Sequence, residues 1–196
     1  MKSQSMLPAN ENILRLRFPV VHQRIIEIGA RMPESFFYED SEEKSVLMIQ
    51  RGENSFPAYG AHKPEQLIKR WYNGLTMAKE SLYAISGFGD GSHIRHFMNE
   101  SASGTNFMAA EKDPALLRET LARFDCSDIL ANDRFMLGVG EPDDDYFKDI
   151  QGAALTGVGD INGLIFAPLH SVDEGYYDKM RNELVRQYLV VRPLME

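Results

Sequence analysis

A single cysteine, Cys126, stands in 196 residues, so no disulfide can form within the chain. That excludes the stapled secreted scaffolds and points to a reducing, cytoplasmic setting. Long apolar runs are missing too. None approaches the ~20 residues that span a bilayer, and no signal-peptide pattern precedes the first expected helix. Basic charge is in short supply: 21 Lys and Arg face 29 Asp and Glu, a formal net charge of -8. Nucleic acid, which binds through clustered cations, is not an expected partner, and neither is a membrane. Internal repeats and low-complexity tracts are absent, so no repeat architecture is expected.

What is present is ordinary for a soluble globular protein, 43% hydrophobic with 26% charged. The length makes one domain, or one with a small appendage. Residues 1–9 read as a loose tail. From Asn10 the spacing of Ile13, Leu14, Val21, Ile25 and Ile28 predicts a helix that Pro19 kinks or splits and Gly29 ends. Phe36-Phe37-Tyr38 and Ser45–Ile49, separated by a charged gap, predict a hairpin, with a third strand near Ser55–Tyr59. Residues 1–60 are thus expected to form a helix-plus-hairpin appendage to an α/β domain over 61–196.

A helix starting near Pro64, with Leu67, Ile68, Trp71, Leu75 and Ala78 as its buried stripe, opens that domain. Strands at 81–86, 105–110, 134–139 and 161–167 then alternate with helices at 91–100, 114–123, 142–154 and 173–192. Such alternation with short links predicts a parallel sheet covered on both faces. Right-handed crossovers make 3-2-1-4 the simplest strand order, a Rossmann-like α/β fold.

The stretch Ser81–His96 organises the rest. An apolar run, Leu82–Ile85, stops at Gly87, Gly89 and Gly91, and a helical pattern follows with Ile94, Phe97 and Met98. The dinucleotide fingerprint would need glycine at position 92, where Ser92 stands; the spacing matches instead the G-x-G-x-G turn of adenosylmethionine-binding sheets. Past the second strand come Glu111, Lys112 and Asp113, and an acid there can accept hydrogen bonds from a ribose diol. Gly87, Gly89, Gly91, Glu111 and Asp113 are the expected cofactor-binding residues, for adenosylmethionine or a nucleotide. Asp90 at a helix N-terminus disfavours a pyrophosphate over the turn. The competing reading is a turn that binds nothing and merely lets strand and helix pack closely.

Other groups offer less. His93, His96 and Glu100 share helical spacing and could contribute to zinc, but such residues more often form a helix's solvent face. Glu141–Asp145, with Pro142 at a first turn, reads as a helix start rather than a cation site. His170 follows the fourth strand, where parallel sheets place ligands, without an identified partner. Cys126, between Asp125 and Asp128, is a poor nucleophile because acids raise a thiol pKa. Tyr188–Val191 is a dense apolar run that suits packing, a homodimer contact or a docking face.

In fixed order along Tyr59–Pro193 stand His62-Lys63-Pro64-Glu65 with Trp71, Ile85-Ser86-Gly87-Phe88-Gly89, Ala110-Glu111-Lys112-Asp113-Pro114, Asp125–Leu130, Gly140-Glu141 and Tyr176-Tyr177. This series resembles the amino-terminal, Rossmann-like domain of motility accessory factor proteins. The family is implicated in glycosylating flagellin with sialic-acid-like sugars, by a further domain related to 6-hydroxymethylpterin diphosphokinase-like proteins. That transferase region lies after the part matched here. The resemblance therefore implies an accessory or ligand-binding domain, with a transferase domain or protein encoded nearby as partner, and carries over no catalytic residue. Asp90 replaces the apolar or aromatic residue usual after the family's second glycine. An active or degenerate methyltransferase-like protein is the alternative, although Ile85 stands where such enzymes carry an acid.

Overall fold

The computed structural model describes residues 6–41, 44–60, 63–78, 81–143, 146–147 and 160–191, with side chains through Tyr188. Two short helices lead, α1 (Pro8–Arg17) and α2 (Pro19–Glu27). Pro19 opens the second, where its missing N–H would have been unpaired anyway, so the expected helix is split rather than kinked. Strands β1 (Phe36–Asp40), β2 (Ser45–Arg51) and β3 (Asn54–Pro57) form an antiparallel sheet in that order. Its register sets Phe36 opposite Ile49 and Tyr38 opposite Leu47.

After α3 (Pro64–Asn73) the α/β alternation begins: β4 (Ser81–Ser86), α4 (Ser92–Glu100), β5 (Asn106–Glu111), α5 (Pro114–Arg123), the short α6 (Ser127–Leu130) and β6 (Phe135–Val139). Strand β7 (Asp160–Leu164) leads to the one-turn α7 (Ala167–His170) and the long α8 (Glu174–Val191). The last strand is shorter than expected, because α7 begins at Ala167 with Pro168 in its first turn, where a missing N–H costs nothing.

All four later strands run parallel, in the order β6-β5-β4-β7. The molecule is α/β, a four-stranded parallel sheet joined to a small antiparallel one. Both faces of the parallel sheet are covered, as its strands' apolar runs demand. On one face Tyr83, Ile85, Phe107, Ala109, Phe135 and Leu137 pack with α1, α2, α4, α5 and α6; on the other, Leu82, Ala84, Met108 and Met136 pack with Tyr146, Phe147 and the α8 residues Met180, Leu184 and Tyr188.

The amino-terminal region shares buried clusters with the later elements. Leu14, Phe18, Val21 and Ile25 belong to the same buried cluster as Phe135 and Leu137. Phe36, Leu47, Ile49 and Tyr59 form a further cluster with Leu116, Phe166 and Leu169. A boundary at residue 60 would therefore cut through shared cores. Of the expected loose tail at 1–9, residues 1–5 lie outside the described residues, but Met6 is buried and α1 already starts at Pro8. Most of the helix expected at 142–154 and the side chains of Leu189, Val190 and Val191 also lie outside. Among those described, no helix is long and apolar enough to cross a membrane.

Candidate functional site

The glycine turn is built as its spacing requires, with Gly87, Gly89 and Gly91 all at positive φ (74°, 56° and 82°). The space above it is not open. A side chain at Gly87 would meet Leu169 Cδ1 at 2.7 Å, and one at Gly89 would strike the Tyr59 hydroxyl. Behind these, the His93 ring stacks on Phe166 with centroids 4.3 Å apart. The Gly87 carbonyl can only accept, so His93 Nε2–H donates to it at 3.2 Å and Nδ1 accepts the Tyr59 hydroxyl at 2.9 Å. Burial pushes the His93 pKa down to about 3, against the pull of the Gly87 bond. His93 is thus neither on a solvent face nor with a metal. His96 meets the Tyr72 ring edge-on, and among the described residues no group of three or more His, Cys, Asp or Glu could hold a metal ion.

The sheet order reverses between β4 and β7, which is where doubly wound sheets usually bind. That crevice, bordered by Ser86, Gly163, His170 and Arg181, holds only about 10 Å³. A single water fills such a space. The adenosine-sized hollow expected over the turn is thus filled by protein, because Tyr59 comes in from the antiparallel sheet's end and Leu169 from α7.

Open space lies beside it, at the carboxyl ends of β5 and β6. A cavity of about 320 Å³ is lined there by Glu111–Pro114, by Gly140 and Glu141, by Val172, Asp173 and Tyr177, and by Arg31 and Glu34–Phe36 of the segment entering β1. Glu111 joins turn and cavity. It is 1% exposed; one carboxylate oxygen accepts the N–H groups of Phe88 (3.0 Å) and Gly89 (3.4 Å), the other that of Asp113 (3.1 Å). Burial raises its pKa to about 7, with Asp113 adding to the rise and the three N–H groups opposing it.

Asp113 is equally committed. It caps α5 by accepting from Ala115 N (2.9 Å), accepts from Glu34 N (3.0 Å), and pairs with Arg31 at 3.0 Å. Lys112 pairs with Asp173. The lining holds five carboxylates against two cations, both of those paired, so the cavity repels phosphate. A second cavity of about 520 Å³ adjoins it, sharing Pro114, Gly140 and Glu141 and reaching Arg24 of α2.

No protein family matches this chain, nor does any curated protein or solved structure. The arrangement must speak through its chemistry.

Of the expected binding residues, the structure brings Glu111 and Asp113 to one cavity and leaves Gly87, Gly89 and Gly91 outside its lining. His170 stacks on Tyr177, centroids 5.4 Å apart, and borders the narrow crevice. Cys126 is buried, and that burial, more than the neighbouring acids, pushes its thiol up to about 12. Asp143 pairs with Arg24, while Asp144 and Asp145 lie outside the described residues. Sequence reasoning missed Arg31, Glu34 and Phe36, which lie over 70 residues from Glu111 with no shared motif. Tyr177 stood out only within the resemblance.

Proposed function

We propose that the chain is a ligand-binding Rossmann-like domain of motility accessory factor type, serving protein glycosylation beside a separate transferase domain or protein. The observation that carries this reading is the carboxyl-rim cavity, which Glu111 ties to the glycine turn. The strand order β6-β5-β4-β7 supports the Rossmann-like part. Further support comes from placement. The Gly87–Gly89, Ala110–Pro114, Gly140-Glu141 and Tyr176-Tyr177 pieces of the resemblance gather at one rim of the sheet, through the Glu111 bonds to the turn and the Tyr176 hydroxyl on the Gly140 carbonyl at 2.8 Å. The two cations around the cavity are each paired with a carboxylate of its lining, as befits a site that holds rather than transforms.

Thermal melting with adenosine, adenosylmethionine, cytidine monophosphate and a sugar nucleotide tests the reading, since a ligand that binds only the native state must stabilise it. At least one should raise the melting temperature, and Val172→Phe, which fills the cavity, should abolish the rise. A rise that survives Val172→Phe places the site elsewhere and overturns the reading. The glycosylation role is tested by deleting the gene and measuring glycan occupancy on flagellin by mass spectrometry; unchanged occupancy refutes it.

A methyltransferase-like protein retains one observation in its favour. The acidic lining suits a sulfonium cation, so adenosylmethionine alone among the four would bind, and methyl transfer to a small acceptor would be measurable.

A further inference from the structure

The cavity contains a polar group that its own protein leaves unused. Tyr177 is only 5% exposed and lines the cavity, yet its hydroxyl has no hydrogen-bond partner among the described residues. Its neighbour shows the contrast, for the Tyr176 hydroxyl donates to the Gly140 carbonyl at 2.8 Å. The Tyr177 ring is held firmly, stacked by His170 on one side and met edge-on by Tyr176 at 5.1 Å. Its hydroxyl lies near the carboxylates of Glu111 and Asp173, whose charges add to burial in raising its pKa. The ring is buried while the hydroxyl opens on the cavity, so a ligand there can accept its bond in place of water.

A second unused group faces the same space. The Glu34 carboxylate, at the exposed mouth, makes no hydrogen bond or close ion pair among the described residues, although it lies in the field of Lys112. The two groups have different needs. A phenol O–H seeks an acceptor, and a carboxylate seeks donors. An ammonium brings only donors. A phosphate brings only acceptors, and five carboxylates repel it. Two adjacent hydroxyls bring both. Phe36, Pro114 and Val172 add apolar wall that suits a flat base more than a bare sugar, and about 320 Å³ is in the range of small-molecule sites.

We propose that this cavity takes the vicinal diol of a nucleoside carrying no phosphate, held by the Tyr177 hydroxyl and the Glu34 carboxylate. The assignment rests on the reading of this cavity as the ligand site. Tyr177 donates to the 2′ hydroxyl oxygen and Glu34 accepts from both hydroxyls. Glu111 stays with the turn.

Calorimetry with adenosine, 2′-deoxyadenosine and adenosine monophosphate, on the wild type, Tyr177→Phe and Glu34→Gln, tests it. Adenosine should bind wild type about tenfold more tightly than either other probe, the scale of one hydrogen bond to a buried group. Tyr177→Phe should weaken adenosine by a similar factor, leave 2′-deoxyadenosine nearly unaffected, and not lower the unliganded melting temperature, because the hydroxyl has no partner to lose. Glu34→Gln should weaken adenosine most and 2′-deoxyadenosine, which keeps its 3′ hydroxyl, less. Equal binding of adenosine and 2′-deoxyadenosine, tighter binding of the monophosphate, or indifference to Tyr177→Phe overturns the diol assignment while leaving the cavity a ligand site. If none of the three probes binds and neither adenosylmethionine nor a sugar nucleotide raises the melting temperature, the ligand-site reading falls as well.

Discussion

Glu111 Oε2 accepts the backbone N–H of Phe88 at 3.0 Å, so the acid expected to meet a ribose serves instead as the keystone of the glycine turn. That bond places a carboxylate with a pKa near 7 about one residue from a histidine-bearing plug with a pKa near 3.

The two groups predict opposite pH effects. Glu111 has a folded pKa raised from 4.5 to about 7, so its contribution to stability is full below 4.5 and is lost as pH rises through 7. His93 has a folded pKa lowered from 6.5 to about 3, so its contribution is full above 6.5 and is lost as pH falls toward 3. Over the shared window the two slopes oppose, so these two groups together contribute little net pH dependence there. Urea titrations of Glu111→Gln should lose the first slope, changing the wild-type-minus-variant difference by up to about 3 kcal/mol between acid and neutral pH. His93→Phe should show a difference of the opposite sign. Parallel pH profiles for all three proteins would contradict the assignment.

Gly138, in β6, has the Tyr146 ring where a side chain would project. Gly138→Ala forces that buried ring to move, and overpacking of this kind costs about 1–3 kcal/mol. Gly104 has nothing within 4 Å of that position. Gly104→Ala should leave the denaturation midpoint almost unchanged, and equal effects of the two substitutions would discount the packing argument.

Asn10 fastens α1 to the end of α5. Its amide nitrogen donates to the Leu121 and Phe124 carbonyls (2.9 and 2.7 Å), and its oxygen accepts from Cys126 N (2.9 Å). Asn10→Ala strands the Phe124 carbonyl and the Cys126 N–H, while the Leu121 carbonyl keeps Leu7 N, a loss of roughly 2–3 kcal/mol. Chemical denaturation should show one transition shifted as a whole. A separate early transition would mean that the amino-terminal helices fold apart from the sheet.

Cys126 is fully buried with its thiol pushed up to about 12, so thiolate is scarce in the folded protein. A maleimide or disulfide reagent should leave it untouched at neutral pH and label it on unfolding. Rapid labelling of the native protein would show that the α4–α6 packing opens readily.

Much of the architecture was legible because it is written locally. Leu82–Ile85 and Phe107–Ala110 read as buried strands from their apolar runs, and Pro19 and Pro114 marked helix starts at their own positions. The pairing of Glu111 with the turn was half legible. Its place after the second strand was right for meeting the glycines, but hydrogen bonding to their N–H groups and to a ribose look alike in a sequence. His93 was misread because helical spacing alone does not show that Tyr59 and Phe166 arrive to bury it.

What the sequence determined by itself is the succession of strands and helices, the positive-φ turn at Gly87–Gly91 and the absence of a membrane-crossing run among the described helices, since each depends on neighbours a few residues apart. Only the tertiary structure decided which hollow is plugged and which stays open. Tyr59 and Leu169 fill the space over the glycine turn from opposite sides in sequence, and Glu34 and Tyr177, 143 positions apart, line one cavity. Empty space is what distant side chains leave behind, and no local pattern encodes it.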